Sequence, residues 1–326
     1  MPSLESNLKQ RMHKEYRNHT IVFYNVENLY DTVDDPGVKD SEFTPFGEKN
    51  WTEERLRKKL SDLAETISGI SVKHPLIVGL TEVENRNVVQ QLLDTEPLRN
   101  HSYELIHQDS PDNRGIDACL YYDRDHVKYL SHQFLRVHFP WNRDIKTRDV
   151  LFFECEIGGD ELWVVVNHWP SRSSNSSEKK REFVAKTVKE RIDQITSRNS
   201  DCKILVMGDF NDEPNNLSLE RYLGAKRSKN IDEQELYNLA AELHSKGKGT
   251  CVHEGDWLMI DQMMINRTLL QNTNNGLGIK NNEMHIHDPK ELIYRRRNFS
   301  QPNHTFSGDR YEGGISDHLP VYVKLE

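Results

Sequence analysis

Four short apolar runs in this chain each end in side chains that can bind a cation or move a proton. Ile21–Tyr24 runs into Asn25-Val26-Glu27-Asn28, and Pro75–Leu80 into Thr81-Glu82-Val83-Glu84-Asn85. Leu162–Val166 leads to Asn167-His168-Trp169-Pro170, and Ile204–Met207 to Gly208-Asp209-Phe210-Asn211. Ser316-Asp317-His318 precedes a further apolar run, Leu319–Leu325. Carboxylate and amide oxygens suit hard divalent ions. Histidine and aspartate can pass protons to and from a reacting group. Each cluster alone has an ordinary explanation. Gly208-Asp209 after a strand is common turn chemistry. Asp317-His318 would serve as a surface pair, and Glu82 as a solvated charge. Glu84 is read as a solvated or helix-capping charge. Taken together, the clusters describe rigid elements that aim polar groups from distant positions at one point.

The elements that would position them follow from the pattern. The runs are short and rich in β-branched residues, which predicts strands. Ile116–Tyr122 and Val150–Ile157 read as further strands. Helices alternate with them. Glu53–Ser71 places Leu56, Leu60, Leu63, Ile67 and Ile70 on one face. Thr52 is its N-cap, with Glu53 and Glu54 in the first turn. Glu178–Arg198 places Val184, Val188, Ile192 and Ile195 together, and Glu233–Leu243 reads as a shorter helix. This alternation points to a layered α/β domain. Gln271–Asp309 is rich in Asn, Gly and His with weak periodicity, and is expected to be a long surface loop.

Composition sets outer limits. The 326 residues carry 43 Lys+Arg and 52 Asp+Glu, a net charge of −9. The acid excess argues against non-specific coating of nucleic acid, which relies on Lys and Arg neutralising phosphates. No stretch approaches the roughly 20 apolar residues of a membrane span. The 11 Phe, 12 Tyr and 5 Trp argue against wholesale disorder. Cys119, Cys155, Cys202 and Cys251 lie far apart, with no CxxC pair and no His at metal spacing, which speaks against a zinc site. Residues 1–18 are polar, without the apolar core of a signal peptide, so a cytoplasmic protein is expected.

The order and wording of the clusters carry a resemblance. Asn25-Val26-Glu27-Asn28, a strand ending in Glu82, Asn167-His168-Trp169-Pro170, Gly208-Asp209-Phe210-Asn211, Ile260-Asp261-Gln262 and Ser316-Asp317-His318-Leu319-Pro320-Val321 follow one another. In that sequence they resemble the endonuclease/exonuclease/phosphatase superfamily, the deoxyribonuclease-I-like metal-dependent phosphoesterases. The resemblance runs from about Ile21 to Leu325, and Tyr24–Asp31 looks like a bacterial branch whose substrates are often unassigned. It implies one domain, residues 19–326, built as a four-layer α/β sandwich. Two packed, mostly antiparallel sheets would be flanked by helices, with the site at one edge.

The resemblance also implies roles. Glu82 would be the first metal ligand, with Asn25 beside it, Glu27 as a second acid and Asp317 as an additional metal-side aspartate. The cofactor would be Mg²⁺ or Mn²⁺. Asp209 would orient or deprotonate the attacking water, and Asn211 would help position phosphate and aspartate. His318 would contact the phosphoryl oxygen, Asp261 would orient His318, and His168 would stand on the opposite side of the phosphate. Arg114 and Arg172 are candidates for touching phosphate, and Trp169 and Trp257 for stacking on bases or sugars. A turn residue or buried packing is the plainer reading for these four. Lys179-Lys180-Arg181 reads as the solvated start of a helix, and Arg295-Arg296-Arg297 as a solvated loop or a flank of the cleft. The expected activity is hydrolysis of a phosphodiester by a monomer, with nucleic acid as substrate. Alternatives are a phosphatase or phosphodiesterase on a small or lipid-linked phosphate such as an inositol phosphate, and a catalytically silent binding module.

Overall fold

A computed structural model describes residues 16–172, 177–272, 276–297 and 299–326. Most of the expected N-terminal extension lies outside the described residues. The apolar runs form strands that extend into the polar clusters following them. One sheet has the order β14-β19-β1-β2-β4-β3. Its strands are β1 (Thr20–Leu29), β2 (Ile77–Val83), β3 (Tyr103–Ile106), β4 (Asp117–Asp123), β14 (Ile279–Ile286) and β19 (Val321–Leu325). The other has the order β5-β6-β7-β8-β13-β10-β9. It comprises β5 (Val127–Leu135), β6 (Val150–Ile157), β7 (Asp160–His168), β8 (Lys203–Asp209), β9 (Ala225–Lys226), β10 (Leu236–Asn238) and β13 (Asp261–Asn266). Three two-stranded ribbons lie outside the sheets: β11 (Cys251–His253) with β12 (Asp256–Leu258), β15 (Ile293–Arg296) with β16 (Phe299–Pro302), and β17 (Phe306–Ser307) with β18 (Arg310–Tyr311).

Most pairings are antiparallel, but each sheet has a parallel pair at its centre, β1 with β2 and β7 with β8. Strands here lack a polar face because both faces are covered. In β1, Ile21 and Phe23 join Leu120, Leu151, Val164, Val166, Met207 and Val323 in the core between the sheets. Val22 and Tyr24 turn the other way and pack with Leu56, Leu60, Leu63 and Ile67 of helix α1 (Glu53–Gly69). Burying each of those leucines stabilises the fold by about 1.5–3 kcal/mol. Thr52 caps α1, accepting the Arg55 N–H. A short helix, α2 (Arg86–Leu93), shares this layer. On the far face of the second sheet, Val184, Val188, Ile192 and Ile195 of α3 (Ser177–Arg198) cover Phe152, Val165 and Val206. The result is a helix–sheet–sheet–helix sandwich. At Gly79 an added Cβ would sit 2.6 Å from Met207 Cε, so the sheets meet there without room for a side chain.

Two expectations are corrected. Glu233–Leu243 is not one helix. Leu236–Asn238 pairs with β13 as β10, and the helix α4 (Ala241–Ser245) begins only after it. Buried sheet pairing overrides local helix preference there. Gln271–Asp309 is not a long loop either. After α5 (Arg267–Gln271), it contains β14, paired to β19, and the β15–β16 ribbon. A bulge between Ile279 and Met284, with Asn281 and Asn282 at positive φ, breaks the two-residue alternation that would have marked the strand. Residues 273–275 and 298 of that stretch lie outside the described residues.

Candidate active site

The two central parallel pairs end side by side, and their C-terminal ends carry the polar clusters. Asn25 is the register partner of Thr81, next to Glu82. His168 is the register partner of Asp209, and Asp209 of Asp261. Bulges then re-aim the side chains. Pairing slips at Asn25–Leu29 of β1 and at Thr81–Val83 of β2. Glu27, Asn28, Glu82 and Asn211 all have φ between 50° and 64°. Such backbone costs about 1–3 kcal/mol per residue away from glycine and clusters at functional sites. Gly208 allows the β7–β8 ends to close, since a Cβ there would meet Asn167 O at 2.3 Å.

The side chains form a connected set. Asn25 Nδ2 donates to Asp209 Oδ2 (3.1 Å) and to Glu82 Oε1 (3.4 Å). Glu82 Oε2 accepts the Asn28 N–H at 3.0 Å. His168 Nε2 lies 3.7 Å from both Glu82 Oε1 and Asp209 Oδ2. Asp209 Oδ1 accepts the Asn211 N–H, and Asn211 Nδ2 donates to Trp169 O. His318 Nδ1 donates to Asp261 Oδ2 at 2.7 Å. Asp317, with a side chain 35% exposed, lies beside His318, its Oδ1 being 3.8 Å from Nε2. The His168 Nδ1 and Asp261 Oδ1 atoms are buried with no hydrogen-bond partner among the described residues.

Three further residues complete the site, of which Ser316 stood within the Ser-Asp-His cluster and Thr250 and Arg148 had no sequence signal. Thr250 donates its hydroxyl to Asp261 Oδ2 at 2.5 Å. Ser316 Oγ donates to Asn25 O and accepts the His318 N–H, which ties the Ser-Asp-His segment to β1. Arg148 is buried and reaches Trp169 O and Asp112. A fourth, Lys59, is fully buried and donates to Glu27 O and to Thr305 Oγ1. Lys59 did leave a trace, because it falls within the apolar stripe of α1, between Leu56 and Leu60.

Burial and neighbours set the charges. Burial pushes the Asp209 carboxyl up to about 7, assisted by Asp261. Burial likewise raises Glu27 to about 7, with Asp317 adding to it. Burial would depress His318, but Asp261 foremost among its anionic neighbours outweighs it and holds the imidazole well above its ordinary value. His168 goes the other way: burial, then Arg148 and Arg114, hold it well below its ordinary value. Two histidines in one cleft are thus driven toward opposite protonation states, a pattern that separates acid from base roles.

Several expected residues lie differently from the simple reading. Both Glu27 oxygens accept backbone N–H groups, of Thr305 at 2.7 Å and Phe306 at 3.3 Å, so this carboxylate anchors a loop. Trp169 is fully buried, its Nε1 donating to Asn167 and its ring edge-on to Phe210, so it is a packing residue and offers no stacking face. Arg172 donates to Asn211 O and Asn216 and braces the 211–216 loop. Arg114 is exposed beside Asp112 and, through its charge, helps keep His168 neutral. Trp257 lines a cavity of about 230 Å³ with Lys248, Ile286, Arg295 and Leu319, which puts Arg295 on the flank of the His318 segment. Arg181 is not solvated: it is buried and paired with Asp212 at 2.7 Å. Glu84 is not solvated either: it is buried, accepts the Asp31 N–H, and is raised to about 8 chiefly by burial.

The donor chemistry fits a hard divalent ion. Glu82 and Asp317 present carboxylate oxygens, while Asn25 Oδ1 accepts the Glu27 N–H at 3.0 Å and its Nδ2 faces Glu82, and the sulfur ligands a soft metal would prefer are not among them.

The sequence model of the endonuclease/exonuclease/phosphatase family matches residues 20–326. No match is found among curated proteins. Among solved structures, TDP2 of D. rerio complexed with a single-strand DNA product is similar over 94% of this chain and 98% of that chain, with a TM-score of 0.59 and 15% identity. The human Nocturnin catalytic domain with a bound sulfate anion is similar over 94% of each chain, with a TM-score of 0.57 and 16% identity. An endonuclease/exonuclease/phosphatase family protein from Bacteroides thetaiotaomicron is similar over 94% of each chain, with a TM-score of 0.56 and 16% identity. At these identities the likeness is one of fold.

Proposed function

This chain belongs to the endonuclease/exonuclease/phosphatase family, and from that premise we propose that it hydrolyses phosphodiester bonds by attack of an Asp209-activated water. The observation that carries the reading is the convergence of Asn25, Glu82, His168 and Asp209 at one point, with the Asp261–His318 pair joined to Asp209 through strand register. Asn25, Glu82 and Asp317 would hold a Mg²⁺ or Mn²⁺ ion. Such an ion supplies positive charge to the phosphoryl oxygens and to the leaving oxygen.

The protein groups do the rest. Asp209 is buried, with one oxygen fixed by Asn25 and the other by the Asn211 N–H, so it is aimed before substrate arrives. A carboxyl near 7 is matched to accepting a proton from water at neutral pH. His318, kept cationic and oriented by Asp261, donates to a phosphoryl oxygen as charge grows there in the transition state. His168 stays neutral and can accept or donate a hydrogen bond across the phosphate. The DNA product held by D. rerio TDP2 favours a nucleic-acid substrate.

The test is hydrolysis of an aryl phosphodiester with Mg²⁺ by the wild type and by Asp209→Ala. The reading expects turnover that Asp209→Ala abolishes. Wild-type protein that cleaves neither diesters nor monoesters with Mg²⁺ or Mn²⁺ would end it. Single-stranded DNA, abasic duplex, RNA and inositol phosphates, assayed side by side, then set the substrate. Cleavage confined to inositol phosphates would remove the nuclease assignment.

A further inference from the structure

A second cluster lies at the other end of the β1–β2 pair. His19 immediately precedes β1, His74 lies shortly before β2, Asp123 ends β4, and His126 sits in the turn leading to β5. Asp123 is buried, and its Oδ2 lies 2.5 Å from His74 Nε2 and 2.7 Å from His126 Nδ1. Its other oxygen accepts the Asp125 N–H at 3.0 Å, which fixes the carboxylate. The three ligand atoms all lie within 4.8 Å of one another. His74 is itself held in place: the His101 ring stacks on it with centroids 4.1 Å apart, and its carbonyl accepts from His19 Nδ1 at 3.0 Å. The His19 ring centroid stands 5.1 Å from that of His74 and 5.2 Å from that of His126.

This donor set differs in kind from the catalytic one. Two imidazole nitrogens and one carboxylate oxygen suit a borderline ion such as Zn²⁺, with a water in the fourth position. The His74 and His126 side chains are 21% and 32% exposed, which gives the ion a path and the water a place. Asn25 lies six residue steps along the strand from His19, so the cluster stands about 20 Å from the catalytic groups. We propose that His74, Asp123 and His126 form a binding site for a Zn²⁺-class transition-metal ion. The ion would clamp the approach to β2 and the exit of β4 to the turn that starts the second sheet. The sequence separation of 49 between His74 and Asp123 explains why cysteine and histidine spacing spoke against such a site.

Direct binding tests this. Full-length protein is stripped with a chelator, saturated with Mg²⁺ to fill the oxygen-rich site, and titrated calorimetrically with Zn²⁺. One equivalent is expected to bind, to raise the melting temperature, and to survive Asp209→Ala. His74→Ala and His126→Ala should each raise the Kd at least about 10-fold, since even outer-shell changes do that much. Co²⁺ should give a visible tetrahedral d–d band that His126→Ala removes. Circular dichroism checks that these variants fold, and the milder His126→Gln serves if His126→Ala does not. Wild-type Zn²⁺ affinity in folded His74 and His126 variants would overturn the site, as would loss of Zn²⁺ binding on Asp209→Ala. None of these readouts depends on hydrolysis.

Discussion

Asp209 and Asp261 face each other across the β8–β13 pair as register partners, yet each serves a different half of the site. Asp209 turns to Asn25 of the first sheet, and Asp261 turns to His318 and Thr250. Two buried carboxylates this close raise each other's cost, and the arrangement persists because each has its own hydrogen-bond donors. Asp209→Asn should therefore abolish hydrolysis while leaving the melting temperature equal to or above that of the wild type. A clear fall in melting temperature would show that Asp209 is a structural residue.

Asp261→Asn should lower turnover by about 100-fold or more, the scale of losing one positioned donor to the developing charge, since His318 loses its orienting partner. Thr250→Val, which removes the O–H that holds Asp261, should cost less, with the substrate KM little changed in both. Single-turnover rates check the order of the two effects.

Lys59 is a buried amine whose pKa burial holds below its ordinary value, bonded to Glu27 O and Thr305 Oγ1. Lys59→Met leaves Glu27 and Asp317 without it. Urea unfolding should show a loss of about 1–3 kcal/mol, the scale of leaving the buried Glu27 carbonyl without its hydrogen-bond donor. A loss below about 1 kcal/mol would mean that the lysine is dispensable to the fold.

Chelation with EDTA should stop hydrolysis, and Mg²⁺ or Mn²⁺ should restore it. Glu82→Gln should raise the Mg²⁺ concentration needed for half-maximal rate by about 10-fold or more, given what even outer-shell losses do. An unchanged metal requirement would take Glu82 out of the ligand set.

The edge strand β14 carries a pH dependence of its own. His285 is held below 6.5 by burial and then by Lys324, and His287 by burial. Above 6.5 both rings are neutral whether the chain is folded or not. Below it the unfolded chain takes up protons first, so stability falls as pH drops through that value. His285→Gln should flatten this slope in urea midpoints measured across the range. An unaltered slope would show that the ring titrates as if in water.

The candidate site positions were legible because their donor-bearing side chains adjoin apolar runs and because the order of the clusters resembles one family. Singly, Asp209, Asn211 and His318 each had an ordinary reading, and the resemblance is what singled them out. The residues that orient them were not legible. Thr250 lies in a Gly-Lys-Gly-Thr stretch with no pattern, and its partner Asp261 is brought beside it by the turn of the β11–β12 ribbon. Arg181 read as a solvated charge because its pairing with Asp212 is invisible along the chain, and Arg148, paired with Asp112, left no signal at all. Trp169 stands next to His168 in sequence, yet strand alternation sends it to the opposite face, into packing with Phe210.

The two central parallel strand pairs belong to different sheets, one bearing Asn25 and Glu82 and the other His168 and Asp209. The site therefore exists only while the sheets are seated on each other. A slip of one sheet by a single residue, about 3.3 Å, would exceed the 3.1 Å contact between Asn25 and Asp209. Small apolar losses in the intersheet layer, such as Met207→Ala, would then be felt as misalignment of the chemistry well before the chain comes apart. Enzymatic rate becomes a finer gauge of how the sandwich is closed than any measure of helix or strand content.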